Sequence, residues 1–205
     1  QPFTNLAAGQ YQIRLKDALG GYIPNATFSF TMSEPPPLNV VATSSSSNSN
    51  ICQGDALTLT GSGAISYQWN DGPSSPISGA TGNTYTPTLT AVGVYTFSVT
   101  GTDINGCTGI SNPITINVNP LPSVSGTTPG GNSIDLSVIL GSLPFSYSWT
   151  GPNGFTANTE DLPPVLSPGT YSVTVSDNNG CESAPLSFTI NPQASWDCNP
   201  GNGCF

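Results

Sequence analysis

The sequence predicts an all-β protein made of tandem immunoglobulin-like antiparallel β-sandwich modules in an elongated array. Three observations carry this prediction: short alternating runs of apolar and polar residues, the scarcity of helical spacing, and one stretch that recurs three times. Alternation with a period of two is typical of strands that bury one face. No stretch of eleven residues keeps the apolar spacing of a helix without Pro or Gly.

The recurring stretch is a strand that begins Gly-x-Tyr, then a turn that contains Asp, then a second alternating strand. Its three copies lie at 9–22 (GQYQIRLKDALGGY), 93–107 (GVYTFSVTGTDINGC) and 169–181 (GTYSVTVSDNNGC). The tyrosines, Tyr11, Tyr95 and Tyr171, are 84 and 76 residues apart, a period suited to small β-domains. Because Tyr95 and Tyr171 directly follow a turn, we expect their hydroxyls to tie a loop to the sheet, as in a tyrosine corner.

A second marker precedes two of the three copies. Tyr67 and Trp69 share one face of the strand in "ISYQWN", and Tyr147 and Trp149 do the same in "FSYSWT". Because the pair recurs at the same place in each module, we interpret the tryptophans as core residues rather than platforms for sugar stacking. The predicted structural core therefore includes the following aromatic residues: Tyr11, Trp69, Tyr95, Trp149 and Tyr171.

Proline clusters divide the chain into four parts. Module one (1–37) is the C-terminal half of a β-sandwich, module two (38–119) and module three (120–192) are complete sandwiches, and 193–205 is a cysteine-rich tail. Proline fixes φ and removes a donor, so the joints should be extended and stiff. Half a sandwich cannot bury its sheet. We therefore expect the strands missing from module one to lie upstream in a parent chain or to come from a neighbouring chain.

Five cysteines and the absence of His favour disulfides in an oxidising, extracytoplasmic compartment over a metal site. We therefore predict that the chain has no metal site. Cys52 precedes the strands of module two and Cys107 closes its turn, so we expect these two to pair. Cys181 then has no partner in its module and is a free or intermolecular thiol. Cys198 and Cys204 are expected to pair with each other; alternatively, Cys181 bonds to one of them and the other bonds elsewhere.

The charge of the chain excludes two classes of partner. The net charge is −9, with only two basic residues, Arg14 and Lys16. Nucleic-acid binding and docking on an anionic membrane both need clustered Lys or Arg. No apolar run has the length of a membrane span, so we expect no direct membrane insertion.

Nothing in the sequence predicts an enzyme or a cofactor. Without His, neither a Ser–His nor a Cys–His arrangement can form. Glu160 and Asp161 are the one adjacent pair of carboxylates, and neighbours in sequence rarely point at one substrate. Asp103 and Asp177 could contribute to a calcium site. We interpret them instead as turn residues, because Asp, Asn and Gly are what such turns require.

The modules resemble a known family. The hairpin of 1–37 and the stretch "LPFSYSWTGPNGFTANTEDLPPVLSPGTYSVTVSDNNGCESAPLSFTI" in module three resemble the SprB-type repeats of Bacteroidota gliding adhesins and giant surface proteins. Module two is similar to the PKD/Ig-like modules of the same proteins, and "SWDCNPGNGCF" to the start of a cysteine-rich element. Two departures stand out: module one has Gly-Tyr where Asn-Gly-Cys is usual, and module three lacks its first cysteine.

The resemblance implies export by the type IX route, display on the cell surface, and a role in adhesion or in surface fibres. The leading hypothesis is a stiff stalk or fibre that is completed by strand exchange with a neighbouring chain, with neighbouring modules or copies of the same protein as partners. The alternative is a carbohydrate-binding module with surface glycans as partners. Trp196 lies outside the repeated strands, so it is the best candidate for ligand stacking.

Overall fold

A computed structural model describes residues 6–164 and 166–192. The chain divides into two compact units, Gln1–Leu38 and Asn39–Phe205. The predicted all-β fold class is confirmed: only two single-turn 3-10 segments, Pro129–Gly131 and Pro152–Gly154, interrupt the strands of the described residues. None of these residues forms a helix that is long and apolar enough to cross a membrane.

The first unit is an antiparallel hairpin of β1 (Gly9–Lys16) and β2 (Tyr22–Met32). Its register places Tyr11 opposite Phe30 and Ile13 opposite Phe28, so apolar side chains gather on one face. The rings of Tyr11 and Phe30 stack with centroids 5.5 Å apart. Among the described residues β1 pairs with β2 alone.

Module two is a two-sheet sandwich of nine strands. They are β3 (Val41–Ser44), β4 (Asn50–Cys52), β5 (Leu59–Ser62), β6 (Ser66–Asp71), β7 (Ser75–Pro76), β8 (Thr84–Tyr85), β9 (Gly93–Thr102), β10 (Thr108–Ile110) and β11 (Ile114–Asn119). One sheet has the order β3-β5-β8 and the other β4-β11-β9-β6-β7, with β10 beside β9. Side chains that alternate inward from both sheets make the core, where Leu59, Trp69, Val99 and Ile116 have no exposed surface.

Module three continues with six strands. They are β12 (Val124–Thr127), β13 (Asp135–Val138), β14 (Ser146–Thr150), β15 (Thr156–Ala157), β16 (Gly169–Ser176) and β17 (Leu186–Ile190). The sheet β15-β14-β16-β17 faces the pair β12-β13, and one bridge joins Ile134 to Leu162. Between these layers the side chains of Leu136, Trp149 and Val173 join a single buried cluster.

Candidate functional site

The three repeated tyrosines hold loops, but they do not share one environment. Each hydroxyl donates to the carbonyl oxygen four residues earlier, at 3.0 Å for Tyr95 and 3.1 Å for Tyr171. Tyr171 is 2% exposed and belongs to the core. Tyr11 and Tyr95 are only half-buried, so their assignment to the core is wrong. Tyr95 lies near the start of β9, and among the described residues the hairpin of Tyr11 pairs with no third strand.

Both repeated tryptophans are closed to any ligand. Trp69 is fully buried and Trp149 is 1% exposed. Each indole N–H donates to a loop carbonyl, that of Gly82 at 3.1 Å and that of Thr159 at 2.9 Å. A buried indole with its one donor satisfied is a packing element, so neither ring offers a sugar-stacking platform. Trp196 lies outside the described residues.

The turn aspartates support their own loops. One carboxylate oxygen of Asp17, Asp103 and Asp177 accepts the amides two and four residues later, at 2.8–2.9 Å in every case. A glycine three residues after each aspartate takes a φ of +80 to +87°. This geometry makes the carboxylate part of the turn in all three copies. No group of three or more metal-ligating side chains occurs in the described part of the chain.

The single described disulfide joins the two sandwiches. Cys52 of module two bonds Cys181 of module three, with their Cα atoms 5.5 Å apart. The predicted Cys52–Cys107 pairing is therefore wrong, and so is the expectation that Cys181 is free. Cys107 is half-buried and makes no disulfide with any described residue. Cys198 and Cys204, the other predicted pair, lie outside the described residues.

Strand direction explains why the predicted pair cannot form. β4 runs parallel to β11, which places Cys52 level with Asn119 at the end of module two that leads into module three. β9 starts beside that end at Gly93 and runs the other way, and Cys107 follows its far end. The ten residues of β9 make nine steps of about 3.3 Å, which place the two cysteines roughly 30 Å apart. A disulfide needs Cα atoms within about 7 Å.

Hydrogen bonds fix the backbone of both bonded cysteines. The amide of Cys52 donates to a carboxylate oxygen of Asp55 at 2.9 Å, and the amide of Cys181 donates to Asp177 at 2.9 Å. Cys181 has no exposed surface, whereas Cys52 is half-buried. The two aspartates hold their cysteines in tight turns that lie against each other. We call the disulfide and its two turns, 52–55 and 177–181, the joint.

A loop of module three packs behind the joint. The amide of Ser142 donates to the second carboxylate oxygen of Asp177 at 2.9 Å, and the amide of Asn178 donates to the carbonyl of Ser142 at 2.9 Å. Gly141 precedes this loop with a φ of +101°, and a Cβ there would lie 3.3 Å from a carbon of Pro122. Pro122 is buried and belongs to the linker between the modules. Linker and disulfide therefore connect the two sandwiches at one place.

The adjacent carboxylates do not form a catalytic pair. Asp161 accepts the amide of Leu136 at 2.9 Å, so it supports the strand β13. Glu160 lies instead against the hydroxyl of Tyr147. Burial raises the pKa of Tyr147, and the charge of Glu160 and a hydrogen bond to it raise this pKa further. Asp161 therefore binds a strand amide, and Glu160 binds the hydroxyl of Tyr147, whose pKa is also raised by the charge of Asp161.

Comparison with known proteins agrees with the architecture of module two. Residues 37–120 match the family model described as "Ig-like domain CHU_C associated", and the match spans the two-sheet sandwich. This part of the chain is therefore similar to Ig-like domains, in agreement with its two-sheet sandwich. No curated protein matches the sequence.

Two solved structures are similar to the chain. The fibronectin(III)-like modules of CbhA from Clostridium thermocellum show 16% identity and a TM-score of 0.42, covering 74% of this chain and 94% of that one. The amphioxus IgVJ-C2 molecule shows 18% identity and a TM-score of 0.32, covering 70% of this chain and 99% of that one.

Proposed function

We propose that the chain is a non-catalytic, load-bearing segment of an extracellular adhesin stalk or fibre. The observation that supports this most is the position of the disulfide. Cys52 lies near the start of module two and Cys181 near the end of module three, 129 residues apart. A pull along the chain then passes from one cysteine directly to the other. The strands between them are inside a covalent loop and cannot be drawn out.

The joint also stiffens the pair of modules. Modules that share a single linker move relative to each other by default, unless their interface is large and hydrophobic. Here a buried proline linker and a disulfide connect the modules together, and Cys181 is entirely buried. Two covalent connections at one joint remove most of the bending freedom that one linker leaves. A stalk needs this property to hold its tip away from a surface.

Several features support a location outside the cell. Disulfides persist in oxidising compartments, and an Ig-like domain linked by one is typical of extracellular proteins. The resemblance to SprB-type repeats and PKD/Ig-like modules supports a Bacteroidota surface protein, exported by the type IX route and acting in adhesion during gliding. The charge of −9 supports partners other than nucleic acid.

The described side chains favour this function over the two alternatives. The carboxylate of Asp161 and those of the turn aspartates are committed to backbone amides, which argues against catalysis. Burial of Trp69 and Trp149 removes two of the three aromatic platforms that a carbohydrate-binding module would use. That alternative then depends on Trp196 alone. For module one, we propose completion by a strand of a neighbouring chain, which would extend the stalk into a fibre.

Force spectroscopy tests the load-bearing function. The chain is pulled from its two ends, first oxidised and then in reductant. With the disulfide intact, unfolding should never release the loop of 129 residues. Reduction should add that loop, about 450 Å of contour length at roughly 3.5 Å per residue. Equal contour lengths in both conditions would show that the disulfide does not carry the load, and the proposal would be wrong.

A further inference from the structure

One edge of β1 is unpaired among the described residues, whereas the equivalent edge in each of the other two modules is paired with a further strand. In module three, β16 lies between β14 and β17, and in module two β9 lies between β6 and β11. The corresponding strand of the first unit is β1, which carries the same Gly-x-Tyr and Asp markers. Among the described residues it has β2 on one side and nothing on the other. An unpaired edge presents a row of N–H and C=O groups that a further strand can bind.

The two complete modules agree on the register of that extra strand. Trp69 pairs with Val99 and Trp149 pairs with Val173, and each valine lies four residues before its turn aspartate. The residue four positions before the turn aspartate of the hairpin is Ile13. A strand added to β1 in the same register would therefore place a tryptophan opposite Ile13.

The face that such a tryptophan would cover is open. Phe28 is 61% exposed and Phe30 is 38% exposed, although both are large apolar side chains. In module three the residue equivalent to Phe30 is Phe188, since each pairs with the repeated tyrosine. Phe188 packs against the buried cluster and its ring lies 6.1 Å from that of Trp149. The hairpin therefore has Phe30 as the equivalent of Phe188, but no described tryptophan takes the place of Trp149 beside it.

We propose that β1 binds an antiparallel donor strand with a Tyr-x-Trp pattern, supplied by a second polypeptide chain, with its tryptophan opposite Ile13. This inference rests on the proposed completion of module one and names its partner and register. Both described Tyr-x-Trp strands, β6 and β14, already pair inside their own modules. The donor therefore comes from outside the described residues. Main-chain hydrogen bonds along the edge give affinity, and the indole gives the register.

Charge favours a donor from a protein of similar composition. Arg14 and Lys16 are the only basic residues of the chain, and both lie on β1. Each approaches the ring of Tyr22, at 6.0 and 4.8 Å from its centroid. The remaining chain is strongly acidic, since the net charge is −9. The strand β1 is therefore the one element that attracts an acidic chain of this kind.

A peptide copied from the chain tests the proposal. The probe is a fluorescent peptide with the sequence of residues 141–154, GSLPFSYSWTGPNG, and its anisotropy is measured against the full oxidised chain. We expect saturable binding and slower hydrogen exchange along β1. The same peptide with Trp149→Ala should bind roughly tenfold more weakly or worse, because it lacks the apolar area of the indole.

Two chain variants locate the binding site. Ile13→Lys places a charge on the covered face and should abolish binding, whereas Gln12→Lys, on the opposite face of β1, should leave it unchanged. The proposal is overturned if the peptide does not bind the parent chain, or if it binds the Ile13→Lys variant as tightly as the parent chain. Light scattering that shows a dimer of the unmixed chain, broken by Ile13→Lys, also overturns it, because a second hairpin then covers the face. None of these three results changes the force measurement, so failure here leaves the load-bearing function standing.

Discussion

Removal of the joint disulfide should weaken both modules together. The change is the double variant Cys52→Ser with Cys181→Ala, which places the apolar residue at the buried position. For a separation of 129 residues, the loss of unfolded-state entropy corresponds to about 5 kcal/mol, and measured native disulfides contribute about 2–5 kcal/mol. We expect a loss of about 3 kcal/mol in the free energy of unfolding. In a protein of this size, this lowers Tm by about 10 °C.

The assay is calorimetry of the full chain beside a matched single variant. Cys107→Ser removes a cysteine that bonds no described residue, so its Tm should stay within about 2 °C of the parent, as is usual for substitutions away from core contacts. The double variant should also show two separate transitions, because modules two and three lose their coupling. The assignment of the joint is refuted if Cys107→Ser lowers Tm as much as the double variant does, or if the double variant has the same Tm as the parent.

Three further predictions concern single side chains. Asp177→Ala should lower the free energy of unfolding, measured by urea denaturation, by about 3 kcal/mol, and Asp103→Ala should lower it by about half as much. The difference is expected because Asp177 is buried and accepts a third amide, and equal losses would contradict this. Tyr171→Phe should cost about 1 kcal/mol through loss of its loop hydrogen bond, and an unchanged midpoint would refute that role. The raised pKa of Tyr147 favours its protonated form in the folded state, so its contribution to stability is complete below about pH 10 and is lost as pH rises through the folded pKa. Ultraviolet titration should show this pKa falling in Glu160→Gln, and an unshifted pKa would exclude Glu160 as a cause.

Features encoded in short stretches were predictable from sequence. Trp69 and Trp149 lie in alternating strands, and alternation alone shows which face is buried. The turn role of Asp103 and Asp177 likewise needs only five consecutive residues, because the carboxylate binds amides two and four positions later. In each case the physical cause is local.

Features that depend on distant strands were not predictable in the same way. Cys52 ends a strand of three residues whose parallel pairing with β11 decides which end of the sandwich it reaches, and three residues carry no such signal. The one available clue was that Cys181 keeps its turn although module three lacks a first cysteine. Tyr95 illustrates the same limit, because its burial depends on which distant strands and loops pack against the start of β9.

The rigidity of the joint is the central claim, and residual dipolar couplings test it most directly. Amide couplings are measured separately for modules two and three in one weakly aligned, oxidised sample. We predict that a single alignment tensor fits both modules, and that reduction of the Cys52–Cys181 bond splits it into two tensors of different size. Two different tensors with the disulfide intact would mean that the modules already move independently, and the stiff stalk would be contradicted.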